Sequence, residues 1–472
     1  MRILSRMGGI AALVAALGVS VAAQSTNGAE SIDGRWDASL DNHGTQIPFR
    51  LDISGSGPTL KGTFYDGFKP YDGTTSATFQ DGKLTLNIEH YLTTIRATVS
   101  NGALTGNVVT ISRGGNADYG FQATRHVESA AAAVDAPSIA GSWIIPLDSP
   151  SAKGEKAFRF IVQQQGAEVA ASILRVDGDT GAYTGSYKDG KWVLSHFDGS
   201  RPGVIEISLA ANGTLEIHQN GGRARAVGTP AAPAVSGAGG GQVVAAASST
   251  SGNQYGEQPG GSRYASKLVA YRAEVANAKG LPEPEDYDTH TTVRDPNEKF
   301  TFSFPDENGK LVTNDDPRFK GKVVLAIVTG TWCPNCHDEA QYLVQLDKKY
   351  RDKGLAIVAL DFEEPEQQGS LERERAFVKK YGVEYTYLIA GAPSDMWEKV
   401  PQAVNLNTWP ATIFVGRDGL VKGIHSGFAS PASGEFNREL QEEFTSKIEQ
   451  LLSEKPAQNV ADTSTAPTKS GQ

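Results

Sequence analysis

The two cysteines of the chain lie in one short motif, Trp332-Cys333-Pro334-Asn335-Cys336. Two intervening residues at a helix start place the two cysteines one helical turn apart. Their Cα atoms then lie near the ~5.5 Å separation that a disulfide needs. Pro334 suits the first helical turn, where a missing N–H costs nothing. The unpaired N–H groups of that turn favour a thiolate at Cys333. The motif therefore predicts disulfide exchange, in which Cys333 attacks from an exposed helix start and the deeper Cys336 resolves the mixed disulfide.

The alternative chemistries for a C-x-x-C pair are half of a zinc site and a static disulfide. Structural zinc takes four ligands, and the sequence holds no third cysteine. His337 follows Cys336 directly but would need distant partners among eight histidines in total. We therefore predict no metal, and no cofactor other than a redox-active Cys333–Cys336 disulfide.

The elements around the motif alternate between strand and helix. The apolar, β-branched run Val323–Val328 predicts a buried strand directly before the motif. The pattern after it predicts a helix over Pro334–Tyr350. Further strands are predicted at Leu355–Leu360, Thr412–Val415 and Val421–Ser426, and further helices at Leu371–Tyr381 and Glu435–Glu454. This alternation indicates an α/β domain over residues 295–455.

A second motif, Thr408-Trp409-Pro410-Ala411-Thr412, stands just before an apolar strand. Together with the element order it resembles the corresponding turn of the thioredoxin fold. The segment Gly330–Glu339 resembles the TlpA/ResA-like thiol–disulfide oxidoreductases of the bacterial cell envelope. The resemblance covers the C-terminal part of the chain and implies a thioredoxin-like α/β domain there.

The resemblance implies roles for residues around the cysteines. Pro410 would be cis, with the Trp409 backbone beside the cysteines to pair with a substrate chain, and Trp332 would pack over the disulfide. Glu339 would handle protons, since partial burial raises the pKa of a carboxyl. The alternatives are a trans proline at a strand start and a solvated helix glutamate. Weaker acidic candidates lie at the end of the second buried strand, where a charge run is usually a solvated loop: Asp361, Glu363 and Glu364.

The resemblance further implies an enzyme that exchanges disulfides with protein clients. It would act as a reductase supplied by a membrane thiol donor such as a DsbD/CcdA-type protein. A peroxiredoxin-like peroxidase is one alternative, although Gly330 stands where the peroxidatic P-x-x-x-T-x-x-C pattern has threonine. The other alternative is an envelope binding protein whose N-terminal modules dominate function. The net charge of −10 argues against nucleic acid as a partner.

The N-terminal half reads as two copies of one antiparallel β-module, residues 31–128 and 137–228. Short apolar runs alternate with Gly-containing turns, which is typical of a barrel or sandwich. Pieces of the first copy recur in order in the second: Ile32-Asp33-Gly34-Arg35-Trp36 as Ile139-Ala140-Gly141-Ser142-Trp143, and Asn101-Gly102-Ala103-Leu104 as Asn212-Gly213-Thr214-Leu215. The spacing predicts a duplication.

The remaining segments are a targeting signal, a linker, a connector and a tail. Residues 1–23 combine Arg2 and Arg6 with an apolar run and the small-residue site Val21-Ala22-Ala23, which predicts a signal peptide. The chain would then be exported to the periplasm or the outside, and tethered to the membrane if the signal is uncleaved. Residues 229–262 are rich in Gly, Ala and Ser and predict a flexible linker. A helix from Arg263 to Ala278 and a connector fill 263–294, and a disordered tail is expected over 456–472.

Overall fold

The architecture is that of a computed structural model. It describes residues 31–112, 115–127, 135–179, 181–220 and 267–454. The predicted signal peptide (1–23), linker (229–262) and tail (456–472) lie outside the described residues. Among the residues that the structure describes, no helix is both long and apolar enough to cross a membrane.

The first β-module is a nine-stranded antiparallel sheet. Its strands are β1 (Gly34–Asn42), β2 (Thr45–Ser54), β3 (Lys61–Asp66), β4 (Lys69–Gly73), β5 (Ser76–Gln80), β6 (Lys83–Ile88), β7 (Thr93–Ser100), β8 (Ala103–Ser112) and β9 (Gly115–Arg125). They lie in the order β4-β3-β2-β1-β9-β8-β7-β6-β5, so that β4 and β5 are the edges. In β6 the side chains of Leu84, Leu86 and Ile88 are buried and alternate with outward-facing residues, as a half-buried strand requires.

The second β-module is a closed eight-stranded barrel. Its strands are β10 (Gly141–Pro146), β11 (Ala157–Gln165), β12 (Glu168–Leu174), β13 (Tyr183–Lys188), β14 (Lys191–His196), β15 (Gly203–Leu209), β16 (Leu215–Asn220) and β17 (Lys267–Arg272). The described N-terminal region thus holds one open sheet and one closed barrel.

Strand β17 corrects two predictions. The helix expected over Arg263–Ala278 is wrong in Lys267–Arg272, which is a strand, and only Ala273–Ala278 is helical (α1). The barrel also continues beyond residue 228, because β17 pairs with both β10 and β16. Its side chains Leu268 and Ala270 are buried in the barrel core. Closure removes two open sheet edges, and this tertiary gain outweighs the local helical pattern.

The two modules share one packing arrangement at their first strands. The indole Nε1 of Trp36 and that of Trp143 each donate to the carbonyl four residues earlier, both at 2.9 Å. The guanidinium of Arg125 lies 4.1 Å from the ring centroid of Trp36, and that of Arg272 lies 4.0 Å from that of Trp143. In each module the stacking arginine ends the last strand, so the same contact fastens the last strand to the first.

The C-terminal domain has the predicted thioredoxin-like α/β architecture. Its strands are β18 (Thr292–Val293), β19 (Ser303–Pro305), β20 (Leu311–Thr313), β21 (Val323–Thr329), β22 (Leu355–Phe362), β23 (Thr386–Gly391), β24 (Ala403–Val404), β25 (Ala411–Val415) and β26 (Val421–Ser426). Its helices are α2 (Pro334–Tyr350), α3 (Pro365–Gln368), α4 (Glu372–Tyr381), α5 (Met396–Lys399) and α6 (Glu435–Ser453). The central sheet has the order β23-β22-β21-β25-β26.

Strand β21 lies in the middle of that sheet with all seven residues buried, which explains its uninterrupted apolar sequence. It pairs in parallel with β22 and antiparallel with β25. The end of β21 leads into the cysteine motif, and the start of β25 follows the Pro410 turn. The sheet therefore brings the two sequence motifs to the same edge.

The modules pack against each other as well as against the C-terminal domain. Phe197 and Val204 of the barrel belong to the hydrophobic core of the first module. The Phe197 ring meets the Phe49 ring edge-on at 4.8 Å between centroids. The open sheet thus completes its core with side chains from its neighbour.

Candidate active site

The cysteine motif forms the start of α2. Cys333 is the N-cap residue, and its Sγ accepts a hydrogen bond from the Cys336 N–H at 3.4 Å. Pro334 occupies the first helical turn as predicted. Both cysteines are free thiols. Burial, and secondly the neighbouring Cys333, raise the pKa of the Cys336 thiol well above its usual value, so Cys336 needs a proton acceptor before it can react.

The expectation that Cys333 lies exposed is wrong in this structure. Cys333 is 0% exposed and Cys336 is 1% exposed. The prediction used only the position of Cys333 at a helix start. In the fold, Cys333 packs into the hydrophobic core of the C-terminal domain, beside residues such as Trp409.

The second motif lies beside the first. The Trp409–Pro410 peptide is cis, as the resemblance implies. The Cys333 thiol points to the carbonyl oxygen of Trp409, with 3.4 Å between Sγ and O. Trp332 is half-buried and stacks edge-on against Trp409 at 5.2 Å between ring centroids. Its Nε1 donates to the Phe362 carbonyl at 2.9 Å, which holds the indole at the rim of the cysteine pair.

Glu339 lies one turn after Cys336 and is buried, with 1% exposure. The Thr412 hydroxyl donates to its Oε1 at 2.5 Å. Burial raises the pKa of Glu339 to about 8; the Thr412 hydrogen bond opposes this rise, and the neighbouring Cys333 adds to it. A carboxyl with such a pKa can both donate and accept a proton near neutral pH. The alternative of a solvated helix glutamate does not describe this side chain.

The weaker acidic candidates form a separate cluster. Glu363 is fully buried, accepts from the Thr331 N–H at 2.8 Å and pairs with Arg373 at 2.7 Å. Glu364 pairs with the same guanidinium at 3.2 Å. Burial, and secondly the charge of Glu363, raise the pKa of Asp361 well above its usual value. Glu363 and its partner Arg373 hold the chain at Thr331 in place, and a solvated loop is the wrong description for Glu363.

His337 also has a structural setting and not that of a zinc ligand. Its Nε2 lies 2.7 Å from the Thr331 carbonyl and its Nδ1 lies 2.9 Å from the Tyr381 hydroxyl. Burial, and secondly His90, lower the pKa of this imidazole well below its usual value. The ring is therefore neutral and fixes the first turns of α2.

Two groups of residues at the site were not singled out from sequence. Thr412 stands in the quoted Pro410 motif, but only the fold shows that its hydroxyl reaches Glu339. The other group comes from the β-modules, since the Asn335 amide donates to the Asp177 carbonyl at 2.5 Å. The Tyr91 ring lies 4.3 Å from that of His337. Local sequence patterns do not predict contacts between residues this far apart in the sequence.

The arrangement suits one class of chemistry. A dithiol stands at the start of a helix, a backbone carbonyl lies beside the first sulfur, and a buried carboxyl of raised pKa lies one turn away. These are the parts that thiol–disulfide exchange uses: a nucleophilic thiol, a resolving thiol and a proton acceptor.

Comparisons with known proteins agree with this chemistry. The Redoxin family matches residues 295–438. Thiol-disulfide oxidoreductase ResA of Bacillus thuringiensis subsp. konkukian is 30% identical over 147 residues, which are 31% of this chain and 74% of that protein. Thioredoxin-like protein YneN of Bacillus subtilis is 34% identical over 110 residues, 23% of this chain and 58% of that protein.

Among solved structures, a thiol:disulfide interchange protein of the thioredoxin family from Chlorobium tepidum is 21% identical. The match covers 34% of this chain and 99% of that one, with a TM-score of 0.25. These matches cover about a third of the chain or less, and the Redoxin match lies in its C-terminal part. Because the chain spans most of a ResA protein at that identity, it belongs to the ResA/TlpA-like thiol–disulfide oxidoreductases.

Proposed function

We propose that the chain is a reductase of the cell envelope that exchanges disulfides with protein clients through Cys333 and Cys336, with no further cofactor. One observation carries this proposal. The two cysteines of the sequence meet at the start of α2, with Trp409 O beside the first sulfur and Glu339 one turn beyond the second. Because the sequence holds no third cysteine, neither thiol can form a structural disulfide with another cysteine of the chain.

The proposed reaction moves two electrons in two exchanges. The Cys333 thiolate attacks one sulfur of a client disulfide, forms a mixed disulfide and releases the first client thiolate. Glu339 accepts the proton of the Cys336 thiol, and the Cys336 thiolate attacks Sγ of Cys333. The second client thiolate leaves, the client is reduced and the chain holds a Cys333–Cys336 disulfide. A donor dithiol must then reduce that disulfide before the next turnover.

Trp332, Pro334, Trp409 and Pro410 are proposed to form the surface that receives the client. The donor proposed for the return step is a membrane dithiol protein of DsbD/CcdA type, and the proposed location is the periplasm or the outer face of the cell. The pattern of residues 1–23 supports that location.

The direct test is the reduction of insulin disulfides with dithiothreitol as the electron source. Cys333→Ser should abolish catalysis. Cys336→Ser should trap the mixed disulfide with the client, visible on non-reducing gels and lost on reduction. Full activity in Cys333→Ser would overturn the proposal, and thiol-dependent peroxide consumption at a comparable rate would favour a peroxidase instead.

The direction of electron flow is tested by the reduction potential of the couple. A value near ~−270 mV would fit a reductase, whereas one near ~−120 mV would indicate an oxidant. The potential is measured by equilibrating the full chain with glutathione buffers and quantifying free thiols.

The role of Glu339 is tested by the pH profile of client reduction. Glu339→Gln should lower the rate about 100-fold and remove the inflection near the pKa of about 8. The hydrogen bond from Thr412 stabilises the ionised carboxylate of Glu339 and lowers its pKa. Thr412→Val removes that bond and should therefore move the inflection to higher pH. Glu372→Gln, at an exposed position of α4, is the matched control and should leave the profile unchanged. An unaltered inflection in Glu339→Gln would rule the carboxyl out as the proton acceptor.

A further inference from the structure

The segment Arg175–Asp179, here called the cap loop, follows β12 of the barrel and lies against the active-site surface. We infer that the cap loop occupies the place of a client chain, so that this structure is a closed state and a client must displace the loop to reach Cys333. The inference rests on the proposed function, because it assumes that clients dock around Cys333 and Pro410.

The cap loop contacts both sides of that surface with its main chain. The Asp177 carbonyl accepts from the Asn335 amide at 2.5 Å and from the Phe428 N–H at 3.4 Å. Gly178 forms a parallel β-bridge with Phe428. The Gly427 N–H donates to the Pro410 carbonyl at 2.7 Å, so the segment under the cap loop is continuous with the proline turn.

The fit leaves no room for side chains between the two backbones. A Cβ added to Gly178 would lie 2.2 Å from the Phe428 carbonyl oxygen and 2.8 Å from Asn335 Nδ2. A Cβ added to Gly427 would lie 2.3 Å from the Val176 carbonyl oxygen. Backbone laid on backbone beside a β-edge is how extended peptides are recognised without strong sequence demands. The cap loop thus meets this surface as a peptide client would.

Side chains on both sides of the loop anchor it. The Asp179 carboxylate is 2% exposed and accepts from the Ser430 N–H at 3.0 Å and from the Ser433 hydroxyl. Lys153 pairs with the carboxylate of Asp177 on the barrel side. The loop is therefore tied to the C-terminal domain at its far end and to the barrel at its middle.

The closed state hides the reacting groups. Cys333 and Asn335 are each 0% exposed, and the cap loop contacts Asn335 directly. A client disulfide must bring its own sulfur into line with the attacking thiolate, and a fully covered thiol offers no such approach. Exchange with a protein therefore requires the cap loop to move away.

The test measures how fast Cys333 of the reduced full chain reacts with a bulky polyethylene-glycol maleimide, with the modified peptide identified by mass spectrometry. Gly178→Ala should accelerate the reaction at least about fivefold, because the added methyl cannot fit in the closed state. Gly190→Ala is the matched control, since Gly190 also has a positive φ (+84°) on the barrel but nothing within 4 Å of its added Cβ. It should leave the rate unchanged.

A second variant guards against a local defect in the barrel. Asp179→Ala removes the anchor to Ser430 and Ser433 without adding bulk, and it should also accelerate the reaction. Circular dichroism should show that both variants remain folded. Equal rates in wild type and Asp179→Ala, or equal acceleration by Gly178→Ala and Gly190→Ala, would overturn the inference.

Insulin reduction separates this inference from the proposed function. If Gly178→Ala accelerates both alkylation and insulin reduction, the inference that the cap loop covers the site is supported. If it accelerates alkylation but no variant reduces insulin, that inference stands and the proposed reductase activity is contradicted. If alkylation is unchanged and insulin reduction is normal, only the inference about the cap loop is contradicted.

Discussion

The two β-modules are built alike at their first strands, yet they contact α2 in different ways. The barrel reaches the start of the helix with main-chain atoms of the cap loop, at Asp177 and Gly178. The first module reaches the outer face with side chains: Tyr71 donates to Asp338, and Tyr91 stacks near His337. Nearby, Lys380 of α4 pairs with Asp72 at 2.6 Å.

The two kinds of contact on α2 should have different consequences. A main-chain contact depends on shape and on the absence of side chains, and here it lies at the surface proposed to receive the client. A contact through buried ionisable side chains depends on protonation and on complete pairing. We therefore expect changes in the barrel to act on access to Cys333, and changes in the first module to act on how firmly the domains hold together.

Destabilising each module separately should show which of them controls access to Cys333. Trp143→Ala and Trp36→Ala remove equivalent, fully buried indoles, and each should cost about 3–5 kcal/mol of unfolding free energy. Because the cap loop belongs to the barrel, Trp143→Ala should accelerate Cys333 alkylation at least about tenfold more than Trp36→Ala. Denaturant unfolding and the maleimide assay measure the two effects. Equal acceleration by both variants would mean that the modules cover the site together.

Removing the ion pair between Lys380 and Asp72 should lower the free energy of unfolding by a smaller amount. Lys380 bonds to the Asp72 carboxylate and to the Gly73 carbonyl at 2.9 Å, and both partners are mostly buried. Lys380→Ala should therefore cost about 1–3 kcal/mol and increase hydrogen exchange in β4 and α4. Lys379→Ala, its exposed neighbour, should stay within ~0.5 kcal/mol of wild type. Similar exchange in the two variants would show that the pair does not hold the module.

The smallest expected effect is on pH dependence. Burial, and secondly Asp66, raise the pKa of Asp338 well above its usual value. The carboxyl is then neutral in the folded chain but ionises in the unfolded chain above pH ~4. Its contribution to stability is full below that pH and is lost as the pH rises towards the raised pKa.

Asp338→Asn removes that titration while keeping an acceptor for Tyr71. Relative to wild type, its unfolding free energy should improve by ~1 kcal/mol or more between pH 5 and pH 8. Asp352→Asn, at an exposed position, should show no such trend. A constant difference between wild type and Asp338→Asn across this range would mean that the first module is not held by a neutral carboxyl.

Much of the catalytic half could be predicted because its signals are local. Helix α2 begins at Pro334 and ends at Tyr350 as predicted, and β26 has its predicted bounds. An apolar run between polar segments suffices to place β21, since a central strand is buried on both faces. No such run predicts strand β23 at the edge of the sheet, because most of its residues are only half-buried.

The local sequence is enough to predict that two cysteines share a helix start, and that a proline turn downstream precedes a strand of the same domain. That Lys267–Arg272 is a strand follows only from the three-dimensional fold, because barrel closure joins segments that no local pattern links. The burial of Cys333 also follows only from the tertiary structure, as does the contact of its neighbour Asn335 with the barrel, more than 150 residues earlier. Helix and strand periodicity report on a residue's nearest neighbours along the chain, whereas access to a thiol depends on every segment that packs above it.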